Sequence, residues 1–373
     1  MNSSCGTRAH YWGGPQLSTQ GLRNLGLKGV TANVLLHDVS KLWSKPAMQA
    51  VLCLATGDNP NLRIAEIAER PLLPREVRIR VKAAGLNFPD YLMVTGRYQV
   101  EPAIPFTPGI EAAGEIIELG PAVTTFSLGQ RVLVVTRRGG CFTTELAIDT
   151  DRIVAIPDIM DYVTAACFPI AYGTSHFALT HRGRLQNGET LVVTGAAGGV
   201  GLAAVEIGKH LGARVIAAAS SVERVAIAVR CGADALIDYG REDLNIRIKA
   251  LTNSAGADVI LDTVGGDVFD GCVRAMNWEG RLLVVGFAGG RIPQVPTNLI
   301  LVKNYSVIGV AFGAQTERDP QGTSRRLAKL LEWYAEGKLR PMPARTFPLK
   351  QAGEALHQFA THRVTGKLAL TME

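Results

Sequence analysis

The sequence predicts an α/β fold in which a doubly wound parallel sheet is inserted into a smaller β-rich domain. In the middle of the chain, short apolar strands alternate with helical stretches of about 10–15 residues, as in a parallel sheet covered by helices. On either side, short strands and turns dominate. We therefore predict an inserted domain of residues 174–313 and a β-rich domain of residues 48–173 and 314–373, after an N-terminal extension of residues 1–47.

The β-rich domain is predicted from strand patterns at both of its ends. Residues 49–54 form an apolar strand-like run, and Val77–Val81 alternates as a half-buried strand does. After about Gly313, a helix at Arg325–Ala335 precedes a last apolar strand at Lys367–Leu370. We expect this C-terminal stretch to return to the first domain.

The inserted domain is predicted from a regular series of elements. It begins with a strand at Leu191–Val193, and a helix starts near Val200 and runs to Leu211. The elements that follow are a strand at Arg214–Ala219, a helix at Glu223–Cys231, strands at Ala235–Ile237, Asp258–Leu261 and Arg281–Val285, and an apolar strand at Ser306–Phe312.

The glycine-rich loop TGAAGGVG, Thr194–Gly201, predicts a dinucleotide site between the first strand and its helix. Gly195 and Ala196 allow a sharp turn, and Gly198 leaves room for a pyrophosphate. Gly201 lets the helix pack against the strand, and the helix N-terminus faces the anion. The alternative is an ordinary strand-to-helix turn that happens to be rich in glycine. The alternating elements downstream favour the dinucleotide site.

The end of the second strand of this domain favours NADPH over NADH. NAD-selective sites place an Asp or Glu there, whereas this strand is followed by Ser220 and Ser221. Arg224 is near enough to meet a 2′-phosphate. Glu223 argues against this choice unless its side chain points away. The alternative is that one serine caps the next helix and that Arg224 is a solvated side chain.

Composition excludes several classes of protein. With 373 residues, of which 47% are hydrophobic and 19% charged, the chain is long and apolar enough for two cores and is not disordered. The net charge is +6, but Lys and Arg are dispersed rather than clustered with aromatics, which argues against a nucleic-acid partner. No uncharged apolar run reaches the roughly 18–20 residues that cross a bilayer, so no membrane partner is expected.

Cysteine and histidine usage predicts metal-free chemistry in a cytoplasmic protein. The six cysteines form no CxxC pair, which suits reduced thiols. There is no HExxH, and no histidine lies within residues 85–115, where a catalytic metal is expected in an enzyme of this layout. Residues 1–47 carry five basic residues and one acid. We interpret them as an upstream start or a tail, with mitochondrial targeting as the alternative.

Several motifs, in order along the chain, carry a family resemblance. GLNFPDYLMVTGRYQV and PFTPGIEAAGEI are substrate-side motifs, and GAAGGVG, AAASSVER, IDYG and TGKLAL are cofactor motifs. In these, the chain from Met48 to Met372 resembles the zinc-free quinone oxidoreductase branch of the medium-chain dehydrogenase/reductase superfamily. The resemblance implies a Rossmann-type sheet inserted in a GroES-like domain. Zinc-dependent relatives carry a His where Ile110 stands and a Cys where Asn87 falls, so both ligand positions are lost.

The same resemblance implies which residues contact the cofactor. Lys367 is expected to approach a phosphate. The other predicted contacts are, for the pyrophosphate, Ala196, Gly198, Gly199, Val200 and Gly201; for the adenosine phosphate, Ser220, Ser221, Arg224 and Tyr239; and for the nicotinamide, Thr174, Gly286, Phe287 and the strand Val310–Phe312.

Tyr98 and Asn87 are the predicted catalytic residues, because the resemblance places them in the substrate cleft. Without a metal, a quinone or an activated enone is an easier hydride acceptor than a simple ketone, since one hydrogen-bond donor can stabilise the charge on its oxygen. NADPH would supply the hydride, and Tyr98 or water the proton. The alternatives are a structural tyrosine and an asparagine that forms a local turn.

Three other functions are weighed. An enoyl thioester (acyl-CoA) reductase of the same superfamily has a Tyr that matches Tyr98, and Arg97 offers a charge for coenzyme A. A non-catalytic NADPH-binding sensor or structural protein shares the fold. A short-chain dehydrogenase would use the YxxxK match at Tyr334 and Lys338, but Gly337 ends that helix. Members of the family usually dimerise, so we expect a homodimer in which Ser306–Phe312 is the sheet edge involved.

Overall fold

The computed structural model describes residues 48–361 and 364–372. The predicted extension of residues 1–47 lies outside the described residues. The strands are β1 Met48–Ala55, β2 Asn61–Ile67, β3 Glu76–Leu86, β4 Glu111–Leu119, β5 Arg131–Val135, β6 Glu145–Asp149, β7 Ile153–Ala155, β8 Thr190–Thr194, β9 Arg214–Ala219, β10 Ala235–Asp238, β11 Ala257–Asp262, β12 Met276–Val284, β13 Ser306–Gly309, β14 Arg345–Pro348 and β15 Leu368–Thr371.

The α-helices of the described residues alternate with these strands, most regularly in the middle of the chain. They are α1 Phe88–Val94, α2 Tyr162–Ala166, α3 Phe168–His176, α4 Gly199–His210, α5 Val222–Ala226, α6 Leu244–Leu251, α7 Gly266–Arg274, α8 Thr297–Lys303, α9 Phe312–Arg318, α10 Pro320–Ala335 and α11 Ala352–Ala360.

The central strands form a six-stranded parallel sheet in the order β10-β9-β8-β11-β12-β13. Apolar residues on its strands alternate between two cores. Leu191 and Val193 of β8 belong to one core and Val192 to the other. A sheet that is apolar on both faces must be covered by helices on both, which is the doubly wound arrangement. The predicted fold class is confirmed.

A second sheet of seven strands is built mainly from antiparallel pairs. Its long strand β3 pairs with β4 along one side and with β6 and β15 along the other. The pairing of Leu368 with Leu86 brings the C-terminal strand back beside the N-terminal part of the chain. The last strand therefore belongs to the same sheet as β3, whereas β1 and β2 form a separate two-stranded sheet.

The predicted strand Ser306–Phe312 is wrong at its C-terminal end. Strand β13 ends at Gly309, and Phe312 begins helix α9 instead. The Phe312 ring is buried against α3, where a Cβ at Gly173 would lie 2.5 Å from Phe312 Cζ. Tertiary packing of this ring therefore overrides the strand-like apolar pattern.

Helix α3 crosses the predicted boundary between residues 173 and 174. Eight of its nine residues are buried, so the segment shows no polar face and no helical periodicity in the sequence.

Within the described ranges, no helix combines the length and apolar character needed to span a bilayer.

Candidate active site

The glycine-rich loop lies where β8 ends and α4 begins. Gly195 has φ +60°, and a Cβ there would lie 2.3 Å from Thr263 Oγ1, so the turn requires glycine. A Cβ at Gly201 would lie 2.3 Å from Gly195 O, which shows how closely the helix approaches the turn. At Gly198 the nearest atom to a Cβ is 3.5 Å away. The loop is thus tightly packed at Gly195 and Gly201 and open at Gly198.

The segment before β15 lies against this loop. Gly366 N donates a hydrogen bond of 2.8 Å to Ala197 O. A Cβ at Gly199 would lie 2.5 Å from Lys367 Cδ, so the lysine stem passes directly over the start of α4. The C-terminal strand therefore connects the glycine-rich loop to the antiparallel sheet.

The ammonium of Lys367 is held in a buried network. Its Nζ donates to Glu111 Oε1 at 2.5 Å, to Asn87 Oδ1 at 2.7 Å and to Leu86 O at 2.9 Å. Burial acts to lower the pKa of Lys367, but the charge of Glu111 and its hydrogen bond outweigh burial, so the pKa is raised. The lysine is charged at neutral pH.

Asn87 is fixed by the same network. Its Nδ2 donates to Glu111 Oε1 at 2.8 Å, and its oxygen accepts from Lys367. The residue is buried and precedes α1, where its backbone N–H donates to Asp90 Oδ2. One amide hydrogen of Asn87 is left for another acceptor. Its predicted contact with substrate stays a prediction, whereas its role at the start of α1 is observed.

Asp90 joins α1 to the neighbouring PFTPG loop. It accepts hydrogen bonds from the backbone N–H groups of Asn87, at 2.8 Å, and of Gly109, at 3.2 Å. Its complete burial, opposed by these two donors, raises its pKa to about 7. The carboxyl group of Asp90 therefore links the start of α1 to the PFTPG loop.

Tyr98 faces the loop after β5 and the start of α9. A Cβ at Gly313 would lie 3.9 Å from the Tyr98 hydroxyl and 3.7 Å from Arg137 Cγ. Burial raises the pKa of Tyr98, while the charge and hydrogen bond of Arg137 act to lower it. Tyr98 thus lies next to the segment predicted to frame the nicotinamide. Arg97 points elsewhere and forms an ion pair with Asp58.

The residues predicted to frame the nicotinamide lie just after the ends of β12 and β13 and, for Thr174, within α3. Thr174, Val310 and Phe312 are all buried. A Cβ at Gly286 would lie 3.5 Å from Thr263 O. A Cβ at Gly265 would lie 2.9 Å from Phe287 Cδ1. Thr263 also packs on Gly195, so this group adjoins the glycine-rich loop.

The residues predicted to hold the adenosine phosphate cluster after β9. Ser221 caps α5, because its Oγ accepts from Arg224 N at 3.3 Å. Ser220 is exposed, and Glu223 is fully exposed with a hydrogen bond to Ser221 that lowers its pKa. Arg224 Nη2 donates to Val364 O at 2.9 Å. Its charge acts to lower the pKa of the neighbouring Tyr239, which burial raises.

Several site residues escaped the sequence analysis. Glu111, Asp90 and Arg137 were not predicted, although the first two stand within the quoted motifs. The polar type of Glu111 and Asp90 between apolar neighbours is the signal that was available. No group of three or more His, Cys, Asp or Glu able to hold a metal is found in the part of the chain that the structure describes. Ile110 is buried there as an apolar side chain.

Comparison with protein families matches both parts of the chain. Residues 73–158 match the family model described as the alcohol dehydrogenase GroES-like domain. Residues 199–333 match the one described as zinc-binding dehydrogenase. A quinone oxidoreductase-like protein 2 homolog of Nematostella vectensis is 39% identical over 347 residues, which is 92% of this chain and 94% of the relative.

Solved structures share the fold over most of the chain. A quinone oxidoreductase of Pseudomonas syringae pv. tomato superposes with a TM-score of 0.81 at 28% identity, over 87% of this chain and 99% of that one. A mycobacterial protein solved in complex with NADPH gives a TM-score of 0.80 at 26% identity, over 87% and 99% of the two chains.

Proposed function

Because the chain belongs to the quinone oxidoreductase branch of the medium-chain dehydrogenase/reductase superfamily, we propose that it transfers a hydride from NADPH to a quinone or related activated enone without a metal. One observation carries the proposal. The Lys367 side chain crosses Gly199 of the glycine-rich loop and ends on Asn87. This contact supports placing the predicted phosphate loop and the predicted substrate region at one site.

The glycine-rich loop fits a dinucleotide. Gly198 leaves space for a pyrophosphate, and the backbone N–H groups at the start of α4 lack intrahelical acceptors and attract an anion. Thr174, Phe287 and Phe312 would frame the nicotinamide, which supplies the hydride when the cofactor is bound.

The adenosine end supports the choice of NADPH. Arg224 provides a guanidinium close to Tyr239, which suits a doubly charged 2′-phosphate. The only nearby acid of the strand-to-helix turn, Glu223, is fully exposed and bonded to Ser221. The turn thus offers one cation to the phosphate.

Tyr98 is the proposed proton donor. Hydride addition to a quinone or enone places negative charge on the acceptor oxygen, and a positioned hydroxyl stabilises that charge and delivers the proton. The hydroxyl lies beside Gly313, immediately after the nicotinamide-framing Phe312. In this scheme Asn87 orients the floor of the cleft through Lys367 and Glu111.

We also propose a homodimer formed along β13. This strand is the last of the six-stranded sheet and pairs with β12 on one side only among the described strands. An unpaired strand edge is a ready template for a second chain. Light scattering should give twice the chain mass of 39.9 kDa, and a monomeric mass would contradict this.

The function is tested by anaerobic oxidation of NADPH, with NADH in parallel. A small quinone and an enoyl-CoA serve as separate acceptors. We expect quinone reduction that is faster with NADPH. Enoyl-CoA turnover without quinone turnover would move the assignment to a thioester reductase, and tight NADPH binding with no turnover would favour a sensor.

A further inference from the structure

We propose that Arg137 and Tyr98 together form a binding site for a negatively charged acceptor oxygen, of the phenolate or enolate class. The identity of the acceptor rests on the proposed function, whereas the anion site itself does not. Arg137 lies outside every motif that predicted the site, in the loop that follows β5.

The two side chains converge on one point of the cleft. Arg137 Cγ and the Tyr98 hydroxyl lie 3.7 and 3.9 Å from where a Cβ at Gly313 would stand. Gly313 belongs to α9, and the side chain of any larger residue at this position would contact both groups. The charge of Arg137 also acts to lower the pKa of Tyr98. The Tyr98 hydroxyl therefore lies beside the Arg137 side chain, whose charge acts on it.

Arg137 has no carboxylate partner within the described residues. Its neighbour Arg138 pairs with Glu317 at 3.5 Å, and Arg152 occupies the same carboxylate at 2.8 Å. The Arg137 Nε is buried and makes no hydrogen bond. A buried donor without a partner is destabilising. A negatively charged ligand oxygen beside the guanidinium would compensate its charge.

The pair accounts for both the charge and the proton in the reduction. A quinone, NADPH and one proton give a hydroquinone and NADP⁺. The hydride leaves one negative charge on the acceptor oxygen, and the Tyr98 O–H bond breaks to protonate it. The guanidinium stabilises first that oxygen and then the tyrosinate, which regains its proton from solvent. Asp90, the other charge that acts on Tyr98, opposes formation of the tyrosinate.

The test uses 4-nitrophenol as a stable mimic of the anionic product, since its phenolate absorbs visible light and its neutral form does not. In the NADP⁺ complex, we expect the wild type to bind the phenolate about tenfold more tightly than Arg137→Gln does. Binding of neutral 4-nitroanisole should be the same in both. Arg138→Gln is the matched control, because this exposed arginine of the same loop already pairs with Glu317.

Equal phenolate binding by the wild type and Arg137→Gln overturns the proposal. If Arg137→Gln fails to fold, Arg137→Lys and Arg137→Met replace it, and the charged variant alone should keep the phenolate preference. Turnover is read separately. Arg137-dependent phenolate binding without reduction of any quinone or enone rejects the proposed function and leaves the anion site standing. In an active enzyme, Arg137→Gln should slow turnover far less in a Tyr98→Phe background than in the wild type.

Discussion

The Lys367 ammonium lies 2.5 Å from the Glu111 carboxylate, although 256 positions separate the two residues in the chain. Glu111 is fully buried, and the lysine side chain is 11% exposed. Their contact joins the residue before β15 to the start of β4, and the lysine stem passes over Gly199 of the glycine-rich loop. A charge pair therefore links the ends of two strands that pair with β3, next to the glycine-rich loop.

Removing one partner of this pair should be strongly destabilising. We expect Lys367→Met to lower the free energy of unfolding by about 3–5 kcal/mol, because Glu111 is then a buried charge without compensation. The double variant Lys367→Met with Glu111→Gln should regain part of the loss. Urea titration at pH 7 measures both. A wild-type midpoint for the single variant, or a double variant no better than the single one, would contradict the account.

Two glycines of the same loop should respond differently to alanine. Gly198 has φ −85° and open space around it, so Gly198→Ala should fold normally but bind NADPH at least about tenfold more weakly, because the methyl group enters the pyrophosphate space. Gly201→Ala should instead destabilise the fold by about 1–3 kcal/mol, since its Cβ meets Gly195 O. Thermal unfolding with and without NADPH separates the two effects. Normal NADPH affinity in Gly198→Ala would argue against the loop as the phosphate site.

Arg224 should set the preference between the two nicotinamide cofactors. In Arg224→Gln we expect NADPH affinity to fall about 10- to 100-fold, equivalent to loss of about 1.4–2.8 kcal/mol from a charge-assisted contact. NADH affinity should change little. Fluorescence titration of both cofactors provides the comparison. A parallel loss of both affinities would instead mean that the contact with Val364 O holds the local structure.

His176 should make the fold sensitive to acid. Burial, with a contribution from the charge of Arg326, lowers its pKa from 6.5 to about 4. A histidine whose pKa is depressed in the folded state loses its stabilising contribution as pH falls below the unfolded pKa. From pH 7 to 5 the loss should be about 2 kcal/mol.

The matched variant for this effect is His176→Gln, which removes the titrating group. Its stability should change less than that of the wild type over the same pH interval, as measured by urea titration at each pH. Identical pH dependence in the two proteins would assign the acid sensitivity to other groups.

Local signals made the parallel sheet predictable from the sequence. The strand at Arg214–Ala219 has the predicted bounds, and the glycine-rich loop begins its helix within one residue of the prediction. Turn geometry and strand patterns depend on near neighbours in the chain, so a single sequence contains them. Helix α3 was missed because its buried surface on all sides removes the pattern that marks a helix.

The polar part of the site depends on contacts between distant segments. Lys367 was predicted to approach a phosphate, and this remains a prediction, but its observed hydrogen bonds to Asn87 and Glu111 have no local signature. Arg137 acquires its place only because α9 begins at Phe312 and brings Gly313 beside it. Such juxtapositions follow from the folded topology.

Single-turnover transfer of deuterium tests the central claim most directly. NADPH that carries deuterium stereospecifically at the nicotinamide C4 is mixed with a small quinone in a stopped-flow instrument, for the wild type and for Tyr98→Phe. The account predicts rapid cofactor oxidation with a primary kinetic isotope effect for one of the two labelled epimers, and a much slower reaction in the variant. NADPH that binds but is not oxidised by any quinone or enone would contradict it.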